Sequence, residues 1–264
     1  MYPILFQWNT WIIPTWHILF LLAVFCGYRY MQRLRSQIAP GIPIRYLDTL
    51  FALVYIAGFL GARLFSFFTD ESLYDPLVQI PLWHIFVPGP MTFYGGALAG
   101  FGMGLGFCLW KKMPLGALLD CLIPAVLLGL CIGRIGCFLN GDDFGLPAQI
   151  SPNMPTPWWV VTFPNHPVPV PRYPVQLMES GASFLLLLCC AFLRKRSLRV
   201  GQVGLLGIIG YGLVRFFLEY LRGDVRGWVV EAFLSPAQLV SLLLVAAGVV
   251  TLYGQKLGLF GSSD

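Results

Sequence analysis

Seven apolar runs, each about 20 residues long, decide what this chain can become. They cover residues 14–32, 48–69, 92–110, 117–139, 174–193, 203–221 and 236–254. A helix of that length spans the hydrocarbon core of a bilayer. In hydrocarbon only helices and closed barrels satisfy their own backbone, and these runs are too continuous for barrel strands. Composition agrees. The chain is 57% hydrophobic and 11% charged, with mean hydropathy +0.74, whereas soluble domains carry about 25% charged residues. These observations predict an all-α integral membrane protein with seven transmembrane helices, residues 1–264 forming a single transmembrane domain. The first ten residues hold no Lys or Arg, so the first apolar run is expected to be retained rather than removed as a leader.

Charge in the connecting loops predicts the orientation. Arg29, Arg33, Arg35, Arg45, Lys111, Lys112, Arg194, Lys195, Arg196, Arg199 and Lys256 fall on one side of a seven-span chain, 11 of its 17 basic residues. The alternate loops carry Asp70, Glu71, Asp75 and the proline-rich stretch 141–172. Basic loops stay cytoplasmic, so the N-terminus is expected outside and the C-terminus in the cytoplasm. The long proline-rich loop 141–172 is then external, and its prolines oppose a long helix. Trp158 and Trp159 within it suit either a headgroup anchor or a lid over a site. The net charge of +5 resides in short loops between spans and is no sign of nucleic-acid binding. Cys26, Cys108, Cys121, Cys131, Cys137, Cys189 and Cys190 all lie in or beside apolar runs, with neither disulfide nor zinc spacing. No metal or cofactor is expected.

The chemistry must lie in the polar residues that the apolar runs carry at a cost. Arg63, Arg134 and Arg215 sit within or at the edge of three different helices. An arginine at mid-bilayer costs at least about 2.5–3.5 kcal/mol and normally faces the protein interior with a partner. Internal ion pairs with Glu219, Asp142 or Glu179 are one reading. The other is a converging set of guanidinium forks for the phosphate of an anionic lipid. Tyr211 and Arg215 are four residues apart in "YGLVRFFLEYLR", Glu219 is one turn further and Arg222 follows, so these four share a helix face. In "RYPVQLMES" the residues Arg172, Gln176 and Glu179 approximate one face of a helix start, with Pro174 in its first turn.

The stretch "GRIGCFLNGDDFG", residues 133–145, resembles the signature of the prolipoprotein diacylglyceryl transferase family. The similarity extends to "GARL" at 61–64, "MTFYGGALAG" at 91–100, "RYPVQLMES" at 172–180, "YGLVRFFLEYLR" at 211–222 and "LSPAQLVSL" before the last span. The motifs occur in family order across nearly the whole chain. The resemblance implies a multi-pass enzyme of the bacterial inner membrane that moves the diacylglyceryl group of phosphatidylglycerol onto the lipobox cysteine of a preprolipoprotein. Arg134 and Arg215 match the family's essential arginines, expected to hold the lipid phosphate. Asn140, Gly145 and Tyr211 match signature positions, and Asp142 stands where glutamate is usual. The catalytic set expected from the match is Arg134, Arg215, Tyr94 and Tyr211. The expected lipid-binding set is Arg134, Arg63, Asn140, Asp142, Gly145, Gln176 and Glu219.

The chain also departs from the family. Tyr94 stands where a histidine is frequent, Cys137 where asparagine is usual, and Tyr173 replaces a histidine before the fifth helix. An unperturbed tyrosine, with a pKa of about 10, is a poor base at neutral pH. Tyr94 is therefore expected to orient the substrate thiol or relay its proton. The competing reading is an inactive member, or a lipid-binding or transport protein that uses the same arginines to hold an anionic headgroup.

Overall fold

The computed structural model describes residues 3–8, 11–69, 92–149, 157–164, 168–196, 198–223 and 234–258. Asp70, Glu71 and Asp75, invoked above for the alternate loops, lie outside the described residues. Among the described residues, seven helices follow a short antiparallel hairpin of β1 (Ile4–Trp8) and β2 (Trp11–Pro14). They are α1 (Thr15–Ile38), α2 (Ile44–Thr69), α3 (Phe93–Trp110), α4 (Leu115–Asn140), α5 (Val175–Leu193), α6 (Gln202–Glu219) and α7 (Pro236–Lys256). A two-residue pair, β3 (Val161–Thr162) with β4 (Pro171–Arg172), precedes α5. The described residues of 141–172 form no helix.

Among the described residues, five helices are long and apolar enough to cross a membrane: α2 (over Ile44–Ser66), α4, α5, α6 and α7. The α1 helix carries Arg29, Arg33 and Arg35 in its second half, and α3 is a shorter apolar helix. Large apolar side chains cover the outside, among them Phe101, Trp110, Phe217, Leu243 and Val250. Soluble monomers rarely expose apolar surface on this scale; on a membrane protein it is the lipid-facing belt. All seven cysteines are free thiols.

The chain divides into two units, Ala39–Leu115 and the remainder. In the first, α2 and α3 pack through a seam of small residues. A Cβ added at Gly61 would lie 2.6 Å from the Gly95 carbonyl oxygen, and one at Gly96 would lie 2.9 Å from that of Gly58. Without a hydrophobic drive between helices in lipid, close backbone approach is what allows such a pair to associate. The Thr92 N–H donates to the Ala62 carbonyl at 3.0 Å, tying the start of α3 to α2. Arg63 and Tyr94 belong to this unit, Arg63 buried on α2 and Tyr94 in the first turn of α3.

In the second unit the core sits where α4, α5 and α6 meet. Leu127, Leu187, Cys190 and Val203 are buried together, with Leu128, Leu186 and Tyr211 packed against them. Asp120, buried in the second turn of α4, holds this junction. Its Oδ2 accepts from the Gly201 N–H and its Oδ1 from the Gly204 N–H, both at 2.7 Å. The first N–H groups of a helix have no partner within it, so a carboxylate from a neighbouring helix caps α6. Gly204 permits the approach, since a Cβ there would lie 2.6 Å from the Leu119 carbonyl carbon. The α7 helix starts with a capping box, in which the Ser235 hydroxyl accepts from the Gln238 N–H and the Gln238 side chain accepts from the Ser235 N–H.

Candidate active site

The C-terminal part of α4 delivers Arg134 to a cluster of charged groups drawn from α4, α5, α6 and the loop after α4. Nε of Arg134 lies 3.0 Å from Glu179 Oε2, and Nη1 lies 2.6 Å from Asp143 Oδ2. Glu179 is fully buried, and its other oxygen accepts from the Tyr211 hydroxyl at 2.8 Å. One carboxylate of α5 thus fixes an arginine of α4 and a tyrosine of α6. Asp143 similarly bridges two helices, because its Oδ1 lies 2.5 Å from Arg222 Nη2, just beyond α6. Among the described residues Nη2 of Arg134 carries no hydrogen bond, which leaves donors for an incoming anion.

Arg215 stands on the same helix as Tyr211. Its Nη1 pairs with Glu219 Oε2 at 2.8 Å, and Glu219 Oε1 accepts from the Ser235 hydroxyl at 2.9 Å. Since that hydroxyl also caps α7, the orientation of Arg215 is linked to the start of the last helix. Buried pairs of this kind contribute little net stability, because desolvation offsets attraction, but removing one partner is costly. Their effect is to hold the guanidinium planes in place.

The loop after α4 is shaped by its own polar groups. Gly141 and Asp143 have φ of 84° and 57°, the left-handed region, which turns the chain sharply after Asn140. Asn140 Nδ2 donates to Asp142 Oδ2 at 2.8 Å, and Gln176 Nε2 donates to the Asp142 carbonyl at 2.6 Å. Burial pushes the Asp142 carboxyl above the usual carboxylate range, and the Asn140 hydrogen bond opposes this. Gly145 then runs against the backbone before α5. Its N–H donates to the Tyr173 carbonyl at 3.1 Å, its carbonyl accepts from Arg172 Nη1 at 3.2 Å, and a Cβ on it would lie 2.8 Å from Val175 Cγ2. Only glycine fits. Arg172 also lies over the Phe144 ring, 4.6 Å from its centre. Trp159 stacks on Tyr173 at 5.8 Å while Trp158 is 92% exposed.

Of the residues singled out by sequence, Arg134, Asn140, Asp142, Gly145, Gln176, Tyr211, Arg215 and Glu219 all lie in the second unit, and Arg63 and Tyr94 lie in the first. The ion-pair reading holds for Arg134 and Arg215, which have carboxylate partners. The partner of Arg134 in the loop is Asp143, however, not Asp142. Arg172 is in β4, ahead of a helix that begins at Val175, so it does not share a helix face with Gln176 and Glu179. Sequence reasoning left Glu179, Asp143, Arg222 and Ser235 out of the site. The adjacency of Asp142 and Asp143 and the polar stripe of α6 were the available signals; the Ser235 link is long-range and had none.

Cys137, Asp142 and Asp143 place ligand-type atoms within 4.8 Å of one another. Both oxygens of Asp143 are engaged by arginines, and those neighbouring positive charges oppose a cation there.

Helices of this length and hydropathy, clad in apolar side chains and enclosing a buried arginine–carboxylate cluster, define a multi-pass membrane protein. The family model described as prolipoprotein diacylglyceryl transferase matches residues 3–254. Proteins named phosphatidylglycerol–prolipoprotein diacylglyceryl transferase are similar along most of their length. The one from Azospirillum brasilense is 32% identical over 259 residues, covering 94% of this chain and 91% of the relative. That from Rhodospirillum rubrum is 30% identical over 257 residues, 94% of this chain and 90% of the relative. That from Prochlorococcus marinus subsp. pastoris is 31% identical over 240 residues, 81% and 79%. The chain belongs to the prolipoprotein diacylglyceryl transferase family.

Proposed function

We propose that this chain transfers the diacylglyceryl group of phosphatidylglycerol to the lipobox cysteine thiol of preprolipoproteins, at the bacterial inner membrane. The observation that carries the reading is the pairing of Arg134, Arg215 and Arg222 with the carboxylates of Glu179, Glu219 and Asp143 in a chain of this family. The substrate thiol loses its proton, which passes to water or to the departing phosphate, its sulfur attacks the terminal glyceryl carbon of the lipid, and the bond from that carbon to the phosphate ester oxygen breaks. The electron pair departs with glycerol phosphate. Arg134 and Arg215 hold that phosphate and stabilise its charge as the bond breaks, while Tyr211 and Glu179 keep Arg134 in register. Asn140 and Gly145 shape the loop, Glu219 holds Arg215, and Arg63 contributes to lipid binding. Residues 1–264 act as one catalytic domain, and Tyr94 orients the thiol or relays its proton.

Expression in a transferase-depleted bacterium tests this reading. The parent chain should restore growth and lipoprotein maturation. A Tyr94→Phe chain, which lacks only a hydroxyl, should fail, because proton-relay groups contribute about 10²–10⁴-fold. Full rescue by Tyr94→Phe would remove Tyr94 from the chemistry, and no rescue by the parent would remove the function.

The orientation belongs to the same proposal. Seven spans, with the N-terminus outside, the proline-rich loop 141–172 external and the C-terminus in the cytoplasm, are supported by the basic residues of alternate loops. Reporter fusions after Lys112 and after Arg199 should both report cytoplasm. A periplasmic signal from either would put the arginines on the wrong face.

A further inference from the structure

We propose that Gln176 and Asp142 form a subsite that reads the two hydroxyls of the lipid's glycerol headgroup. The inference rests on the function proposed above and names what selects the lipid. Gln176 is only 1% exposed. Its Nε2 donates to the Asp142 carbonyl at 2.6 Å, which fixes the amide and leaves Oε1 as the acceptor facing away from that bond. Oε1 is buried and has no hydrogen-bond partner among the described residues. Asp142 repeats the pattern. Its Oδ2 accepts from Asn140, and its Oδ1 is buried without a hydrogen-bond partner among the described residues. The Cys137 thiol is close by, and a thiol is a weak donor.

A buried acceptor deprived of a donor costs about 1–3 kcal/mol, so two of them joined through one hydrogen bond form a place prepared for donors. The arginines do not fill that need. Arg134 is engaged with Asp143 and Glu179, and Arg222 with Asp143. The loop residue that touches Arg134 is the immediate neighbour of Asp142. A phosphate on Arg134 would therefore bring the rest of its headgroup toward the two acceptors. The ligand chemistry that matches is a phosphate ester bearing a vicinal diol: the phosphate accepts from arginine, and each hydroxyl donates to one acceptor. A headgroup of equal length without hydroxyls would leave both acceptors buried and unpaired. Sites built to bond a substrate hydroxyl discriminate strongly against the deoxy analogue for this reason.

The test compares transfer to a lipobox peptide from phosphatidylglycerol and from phosphatidyl-n-propanol with the same acyl chains, using the full chain in mixed micelles. The parent should prefer phosphatidylglycerol in kcat/KM by at least about 10²-fold. Gln176→Met, similar in length and apolar, should reduce that preference at least about tenfold, with most of its loss on phosphatidylglycerol. Equal use of the two lipids by the parent overturns the subsite whether or not the variant folds. Equal losses of Gln176→Met on both lipids also overturn it, because a structural role predicts that pattern. Transfer from neither lipid by the parent removes the underlying function instead, and the subsite with it.

Discussion

Replacing Arg134 by alanine should reduce diacylglyceryl transfer by at least about 10²–10³-fold, the range seen when one donor to a developing negative charge is removed. Part of the change will be structural. Glu179 is fully buried and Arg134 Nε is 3.0 Å from it, so the alanine variant leaves an unpaired carboxylate in the bundle at a cost of about 3–5 kcal/mol. Arg134→Lys separates the two effects. Lysine keeps the charge near Glu179 and Asp143 but lacks the planar fork that reaches Glu179, Asp143 and a phosphate together. It should recover stability in a thermal unfolding assay while transfer stays low. Near-normal turnover by Arg134→Lys would remove the fork from the account.

Asp120→Ala should be the most damaging change away from the site. It deletes the acceptor for two buried N–H groups, those of Gly201 and Gly204. At about 1–3 kcal/mol for each unsatisfied group, the loss is about 2–6 kcal/mol. The α6 helix carries Tyr211 and Arg215, so activity should fall with the folded fraction rather than by a change in KM. Asp120→Asn keeps one carbonyl acceptor and should cost less. Unfolding measured in detergent decides this: an Asp120→Ala protein as stable as the parent would show that the cap contributes nothing.

The helices were legible because burial in lipid needs long uninterrupted apolar runs, a signal that survives single polar insertions such as Arg134. The predicted span 117–139 and the observed Leu115–Asn140 differ by one or two residues at each end. The end of α1 was less legible: its apolar run stops near Gln32, but the helix continues to Ile38 through arginines that water can reach. Asp120 left no sequence signature, since its partners are backbone N–H groups 81 and 84 residues away. The site was legible in part. The positions of Arg134 and Arg215 follow from motif and helix period, whereas the preference of Arg134 for Asp143 over Asp142 depends on a left-handed turn at Asp143. Glu179 was visible only as a generic partner, and its double contact with Arg134 and Tyr211 requires three helices to be in place.

In the proposed reaction an arginine-held phosphate leaves while a substrate thiol takes the diacylglyceryl group. Mass spectrometry on purified chain, phosphatidylglycerol and a lipobox peptide tests it most directly. The peptide should emerge heavier by one diacylglyceryl group on its cysteine, with one glycerol phosphate released per peptide modified and no lipid adduct on Cys137. A covalent lipid on Cys137 during turnover, or an unmodified peptide with the parent chain, would contradict it.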